Sequence, residues 1–175
     1  MKKIYNFSAG PGTLPQDALD ATSHAVLDYE NNGMSILEMS HRSQPIVDLM
    51  NNTTDLAREL LSVPDNFHIL WLQGGASTQF SMIPMNLLSN DQTADYTDTG
   101  FWAAKAIKEA KEFCKVNVAS STKESIYNHI YKDLDQTPNA TYLHITSNNT
   151  IYGTQWKSFP KTLNPEAYIV ADMSS

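Results

Sequence analysis

Short apolar runs alternate along this chain with segments that carry apolar residues at helical spacing, and this alternation constrains the fold more than any other feature. The helical pattern covers residues 16–30 and 44–62, and Ser43 and Pro45 mark the start of the second segment. The run at 67–72, FHILWL, is typical of a strand buried on both faces of a parallel sheet. The pattern predicts an α/β fold with a mainly parallel sheet flanked by helices.

Four more strands and two more helices are predicted further along the chain. One helix ends near Leu88 and the other spans residues 103–114. The four strand candidates are residues 94–97, 116–118, 141–145 and 168–171. The chain stops at Ser175 directly after the last candidate, with no helix to cover it, so we interpret it as a fragment.

Composition argues against several classes of protein. Twelve Lys and Arg against nineteen Asp and Glu give a net charge of -7, which disfavours general nucleic-acid binding. The single cysteine, Cys114, cannot form an internal disulfide, and the five histidines lack the paired spacing of zinc sites, so no metal is predicted. The start, MKKIYNFS, has no apolar run, so we expect neither a signal peptide nor a membrane anchor, and a cytoplasmic location.

A glycine turn follows the first strand candidate, with the sequence GGAST at residues 74–78. Glycines let the backbone turn tightly, and free N–H groups at the start of the next helix favour an anion. The hydroxyls of Ser77 and Thr78 would add donors. The alternative is that the glycines only form a loop and Ser77 only caps the helix. The turn lacks the Gly-Lys-Ser/Thr ending of a P-loop, which disfavours a nucleoside triphosphatase.

Three other residues follow strand candidates at the edge where ligands of open α/β sheets bind. Asp172 is suited to pair with a protonated ring nitrogen, although it is equally suited to cap a helix. Trp102 is suited to stack on a flat heteroaromatic ring, although tryptophan usually packs in a core. Thr150 offers a hydroxyl to a phenolic oxygen, although an ordinary Asn-rich turn has the same letters.

His41 and Arg42 precede the second predicted helix. A guanidinium is the preferred planar partner for phosphate or carboxylate, and a surface ion pair is the alternative.

Six segments together resemble the phosphoserine aminotransferase family. They are NFSAGPGTLP, EMSHRS, GGASTQF, ADYTDTGFWAAKAIKEAK, NNTIYGT and VADMSS, and the fourth is the most specific. The resemblance implies the large domain of a fold-type I pyridoxal-phosphate enzyme. Residues 1–175 would then be the N-terminal segment and part of that domain, without its remainder and without the small C-terminal domain.

The resemblance also implies a reaction. The family transfers an amino group between phosphoserine plus 2-oxoglutarate and 3-phosphohydroxypyruvate plus glutamate in serine biosynthesis, and some bacterial members also serve pyridoxine synthesis. It further implies a homodimer in the cytoplasm, bound to neither membrane nor nucleic acid. Two alternatives stay open: another fold-type I enzyme, such as a desulfurase, and a remnant that binds cofactor, an anion or a partner protein without turnover.

The same resemblance assigns roles to residues at the predicted edge. Ala76 and Ser77 would hold the cofactor phosphate, and Trp102 would stack on the pyridine ring. Thr150 would contact the phenolic oxygen, and Asp172 would pair with the ring nitrogen. Some members have Gly-Arg in place of Ala76 and Ser77, so the phosphate contact of that arginine is absent here.

Substrate binding and cofactor attachment are implied elsewhere. Ser8 resembles a substrate-contacting residue, and His41 and Arg42 resemble the pair lent across a dimer to the substrate's phosphate. The family's Schiff-base lysine lies on a later strand, beyond Ser175. None of the ten lysines present is predicted to face the shared edge, so we expect this chain alone to be inactive.

Overall fold

The computed structural model describes residues 4–89 and 91–175. The chain divides into two compact units, and the division lies between Trp71 and Leu72. The first unit is helical, whereas the second contains the sheet.

The first unit contains both helices that the apolar spacing predicts. They are α1, Gln16–Leu27, and α2, Gln44–Leu60, with short 3-10 helices at Tyr29–Asn31 and Ile36–Glu38. Helix α1 ends earlier than predicted because Asp28 adopts an extended conformation, and its carboxylate accepts a hydrogen bond from the Gly33 N–H at 2.9 Å. Ser43 is the N-cap residue of α2, and Pro45 lies in its first turn, where a missing N–H costs little.

The strand predicted at 67–72 is wrong. These residues form no strand, and Phe67, Leu70, Trp71 and Leu72 are 54 to 71% exposed. A strand requires a neighbour for its backbone N–H and C=O groups, and no strand in the described ranges pairs with this run. The Trp71 indole N–H donates to a side chain instead, the Thr54 hydroxyl at 2.9 Å. The apolar run at 67–72 is therefore present in the sequence but does not form a strand, because it has no neighbouring strand to pair with.

The second unit is built on a four-stranded parallel sheet in the order β2-β1-β3-β6. Its strands are β1, Thr93–Asp98, β2, Lys115–Ser121, β3, Tyr142–Thr146, and β6, Tyr168–Asp172. An antiparallel pair joins β4, Asn148–Asn149, to β5, Thr154–Gln155. The helices are α3, Gly75–Leu87, and α4, Phe101–Ala110, with a 3-10 helix at Lys123–Ser125. The predicted α/β class and the last four strand candidates are confirmed.

Helix α4 is displaced from its predicted position at 103–114. It begins at Phe101, because the chain turns directly after β1, and it ends at Ala110. Cys114 follows in a turn, where its N–H donates to the Ala110 carbonyl at 3.1 Å.

The core of the second unit lies on both faces of the sheet. On one face α3 and α4 cover the strands through Phe80, Ala106 and Ile107. On the other face the loops around β3 cover Leu143 and Ile145. Within the two described ranges, no helix combines the length and the apolarity needed to cross a bilayer.

Two buried tyrosines are paired inside the helix-covered face. The hydroxyls of Tyr96 and Tyr142 lie 2.6 Å apart, and their rings meet edge to face at 5.7 Å. Burial raises the pKa of both phenols, that of Tyr142 to about 12, so both stay protonated and one hydroxyl donates to the other. Each hydroxyl therefore satisfies the other in a place that water does not reach.

Replacing Tyr142 with Phe should lower the free energy of unfolding by about 1–3 kcal/mol, because the Tyr96 hydroxyl stays buried without its partner. The double variant Tyr96→Phe, Tyr142→Phe should recover most of that loss, because neither hydroxyl is then left unpaired. Urea unfolding of the two single variants and the double variant measures the coupling. Strictly additive losses would contradict the pairing.

Candidate active site

The order of the strands places a crevice at the carboxyl ends of β1 and β3. The chain passes from β1 to β2 on one side and then returns to place β3 on the other side of β1. Where parallel connections diverge in this way, ligands bind outside the carboxyl ends of the strands. The segments that leave β1 and β3 there carry Trp102 and Thr150.

The start of α3 has the geometry of an anion site. Gly74 is its N-cap residue with φ +94°, and Gly75 follows with φ +61°, both in the left-handed region that favours glycine. A Cβ on Gly74 would lie 2.4 Å from the Thr78 hydroxyl oxygen, so the turn also lacks room for a side chain. No side chain caps the helix, so Ser77 is not its cap, and the N–H groups of the first turn have no partner within the helix.

Lys105 lies beside this turn, contrary to the expectation that no lysine faces the edge. Its ammonium donates to the Ser77 hydroxyl at 2.9 Å. The same ammonium lies 5.6 Å from the centre of the Trp102 ring, within the range of a cation–π contact. Lys105 and Ser77 are 28 residues apart in the sequence, and spacing alone did not reveal their contact.

Trp102 does not pack in the core. It is 37% exposed, and its indole meets the Phe101 ring edge to face at 5.0 Å. The side chain therefore leaves an aromatic surface at the carboxyl edge, next to the ammonium of Lys105.

The loop that carries Thr150 is held by Asn149. The Asn149 side-chain amide donates to the Thr154 hydroxyl at 3.1 Å, and its backbone carbonyl accepts from the Gly153 N–H at 2.7 Å. A Cβ on Gly100 would lie 2.7 Å from the Asn149 side-chain oxygen, so this loop packs closely on the start of α4. Thr150 itself is exposed, and no described contact occupies its hydroxyl.

Asp172 ends β6 directly opposite Thr146 of β3. Its Oδ1 accepts from the Ser174 backbone N–H at 3.1 Å and also from the Ser174 hydroxyl. No donor among the described residues contacts Oδ2. The carboxylate is half-buried and makes a local turn rather than a helix cap.

Asp172 and Ala76 line one cavity of about 310 Å³, within the range of ligand pockets. His144 lines it too and is 2% exposed, and its Nδ1 has no hydrogen-bond partner among the described residues. Burial lowers the pKa of His144 from 6.5 to about 4, and the charge of Asp172 raises it only in part. The imidazole is therefore neutral at physiological pH.

A second buried carboxylate, Asp98, holds the ends of β1 and β2 together. It is 8% exposed, and its Oδ2 accepts from the Ser121 hydroxyl at 2.8 Å. Tyr127 donates to the same oxygen at 3.5 Å, and burial, with the Asp98 charge, raises the pKa of Tyr127 to about 12. These contacts fix the strand end from which the chain turns into α4.

The predicted substrate residues lie in the first unit. Ser8, His41 and Arg42 are all exposed, and His41 and Arg42 form a turn just before α2. The Arg42 backbone N–H donates to the Ser40 hydroxyl at 3.2 Å. Their roles stay predictions.

Sequence reasoning missed three residues of this edge: Lys105, His144 and Asn149. Lys105 and Asn149 stand inside segments that carried the family resemblance, but their contacts come from elements distant in sequence. His144 lies inside a correctly predicted strand, where a polar letter in an apolar run was the available signal.

Stability should fall between pH 6.5 and about 4 because of His144. In that interval the imidazole is protonated in the unfolded chain but stays neutral in the folded one, so acid favours unfolding. The free energy of unfolding falls by at most roughly 3 kcal/mol. The contribution is fully present above the unfolded pKa and is lost as the pH falls towards the folded one. Urea unfolding of the wild type and of His144→Gln at both ends of the interval measures it, and equal pH slopes would contradict it.

Comparison with known proteins identifies related sequences and folds. The family model described as aminotransferase class-V matches residues 4–175. The phosphoserine aminotransferase of Desulfosudis oleivorans is 50% identical over 175 residues, which cover 99% of this chain and 48% of that protein. The chain spans about half the length of the curated relatives it matches.

Two solved structures share the fold. The phosphoserine aminotransferase from Bacillus circulans subsp. alkalophilus has a TM-score of 0.90 and 44% identity, and the match covers 97% of this chain and 47% of that one. The PLP-bound phosphoserine aminotransferase from Trichomonas vaginalis has a TM-score of 0.89 and 35% identity, and the match covers 99% and 51%. The resemblance found in the sequence motifs is confirmed.

Proposed function

Because the chain belongs to the class-V aminotransferase family, we propose that it is the N-terminal part of a phosphoserine aminotransferase dependent on pyridoxal phosphate. The proposed reaction moves an amino group between phosphoserine plus 2-oxoglutarate and 3-phosphohydroxypyruvate plus glutamate. The observation that carries the proposal is one sheet edge that combines an anion turn, an exposed indole and a strand-end carboxylate. We further propose a cytoplasmic homodimer that acts in serine biosynthesis and, in a related role, in pyridoxine biosynthesis.

The residues at this edge fit the proposed cofactor. The cavity beside Asp172 is lined by His144, whose Nδ1 has no hydrogen-bond partner among the described residues. A phosphorylated heteroaromatic ring needs an anion site, an aromatic surface and a group for its nitrogen. All three are present in the second unit, and because the chain carries a net charge of -7, a local cation favours an anion at this site.

The phosphate would be held at the start of α3. The backbone N–H groups of Ala76 and Ser77 lie in the first turn, where the helix dipole favours negative charge. Lys105 adds a full positive charge next to Ser77. We propose that this lysine supplies the cation that an arginine supplies in the Gly-Arg variants of the turn.

The ring would lie between Trp102 and Asp172. The exposed indole offers its face for stacking. The Asp172 carboxylate would accept a hydrogen bond from the N–H of a protonated ring nitrogen. When bound, the cofactor supplies an electron sink for charge that develops on the substrate. Thr150 offers its free hydroxyl to the phenolic oxygen. Asp172 keeps the ring nitrogen protonated because a nearby negative charge favours the cationic form.

The substrate would be held by the first unit. Arg42 presents a planar guanidinium suited to a phosphate, with His41 beside it, and we propose that a second subunit receives this pair. Ser8 would contact the substrate. We place the lysine that attaches the cofactor outside these 175 residues, because Lys105 lies at the phosphate end, beside Ser77.

Cofactor attachment and turnover test the proposal in the native polypeptide that carries these residues. Its intact mass is measured first, and then its mass after borohydride reduction with pyridoxal phosphate. Transfer from phosphoserine to 2-oxoglutarate is then assayed for the wild type and for Asp172→Ala. We expect a reducible adduct, turnover in the wild type and at least a hundredfold loss of kcat in the variant, on the order expected when a carbanion loses its electron sink.

Unchanged turnover in Asp172→Ala would remove the role of that carboxylate. Cofactor binding without transfer to any keto acid would indicate a remnant, and transfer with another substrate class would indicate a different fold-type I enzyme.

Replacing Lys105 with Met should weaken binding of pyridoxal phosphate roughly tenfold, because a charge-assisted contact to the phosphate is lost. Affinity for pyridoxal, which has no phosphate, should stay unchanged. Lys108→Met is the matched control, since Lys108 is exposed on the same helix. Fluorescence titration measures both ligands, and an equal loss for pyridoxal would show that Lys105 supports the fold rather than the phosphate.

A further inference from the structure

We propose that His144 is a positioning residue for Asp172: a neutral imidazole that orients the carboxylate towards the ring nitrogen of the cofactor. The inference rests on the proposed function. It concerns a histidine that the sequence motifs did not single out and that the family roles above do not use.

The topology places His144 and Asp172 on one face of the sheet. His144 pairs in register with Val170, and Thr146 pairs with Asp172, so the two side chains belong to adjacent strands, two positions apart. Side chains two positions apart on a strand lie on the same face. Both residues line the cavity of about 310 Å³, and the charge of Asp172 is felt by the imidazole.

Packing fixes the plane of the imidazole. The Tyr96 ring stacks on it with centroids 4.7 Å apart and 18° between the planes. The Phe80 ring meets it edge to face at 6.3 Å. Aromatic groups on two sides therefore hold the plane of the imidazole without any hydrogen bond to the ring among the described residues.

The hydrogen-bonding capacity of this ring is unused within the described part of the chain. The Nδ1 is buried and has no partner, and no described contact engages the other ring nitrogen. A polar group buried without a partner costs free energy, so native structures rarely retain one without a use. An apolar residue would fill the same space between Tyr96 and Phe80 without that cost.

One carboxylate oxygen of Asp172 lacks a hydrogen-bond donor in the two described ranges. Ser174 occupies its Oδ1, whereas Oδ2 has no donor among the described residues. Gln79, another polar residue of the cavity wall, directs its amide to the Met82 sulfur at 3.6 Å. His144 is therefore a side chain of the cavity wall whose ring makes no described hydrogen bond.

A neutral donor is what this carboxylate requires. A lysine or arginine at the position of His144 would form an ion pair and cancel the charge that attracts a protonated ring nitrogen. A hydrogen bond from a neutral imidazole would leave the full negative charge of the carboxylate available. Burial keeps the imidazole in that state.

The affinities for the cofactor and for one analogue of it separate this role from a structural one. Pyridoxal phosphate carries the ring nitrogen, and 1-deazapyridoxal phosphate has a C–H in its place. In the native polypeptide, His144→Phe should weaken pyridoxal phosphate roughly tenfold and leave the deaza analogue unchanged, because one hydrogen bond acting through Asp172 is lost. His129→Phe, a histidine away from this cavity, is the matched control and should change neither affinity.

The protonation state of the cofactor's ring nitrogen can also be measured directly by NMR. With ¹⁵N-labelled pyridoxal phosphate, the nitrogen should be protonated in the wild type and lose protonation in part in His144→Phe. If that variant does not fold, the ¹⁵N spectrum of the His144 ring in the unmutated protein replaces it. Its N–H signal should shift on binding pyridoxal phosphate and not on binding the deaza analogue.

The outcomes distinguish this inference from the proposed function. The positioning role would be overturned if His144→Phe weakened binding of the two ligands equally or weakened neither. It would also be overturned if the His144 signal responded alike to both ligands. Asp172→Asn tests the function separately, because it should abolish the preference for the ring nitrogen. If Asp172→Asn leaves that preference intact, the proposed function itself fails.

Discussion

Pairing of β1 on both of its edges is the constraint on which the rest of the second unit depends. Its backbone is bonded to β2 on one side and β3 on the other, and residues 94–98 are buried. The order of the strands reverses at β1, and this reversal creates the crevice. The carboxyl end of β1 leads directly into α4. Trp102, Lys105 and the loop of Asn149 are placed by where β1 stops.

Charge is managed locally at this edge. The chain is acidic overall, so a phosphate must be attracted by a nearby cation and by helix N–H groups rather than by the field of the whole protein. A separate feature is the cavity lined by the Asp172 carboxylate and by His144, whose imidazole is uncharged. The edge therefore offers positive potential beside Ser77 and negative potential beside Asp172, which matches a ligand with a phosphate and a cationic ring nitrogen.

The sequence predicted the sheet well and the contacts across it poorly. The strand at 168–171 was predicted correctly from its apolar run, and the structure places Asp172 at the end of that strand and Trp102 after another, as predicted. Lys105 was missed because its contact with Ser77 joins two helices, and the two residues are 28 positions apart in the sequence. The run at 67–72 was misassigned because periodicity reports burial tendency and not the presence of a pairing partner.

That unpaired run has a consequence for how the polypeptide behaves in solution. Its letters, FHILWL, are rich in β-formers and carry no permanent charge, and the side chains of Leu70 and Trp71 stand largely in water. Segments of this kind recruit identical segments from other molecules into intermolecular ladders. In the isolated chain, this run is therefore the segment at which self-association would begin.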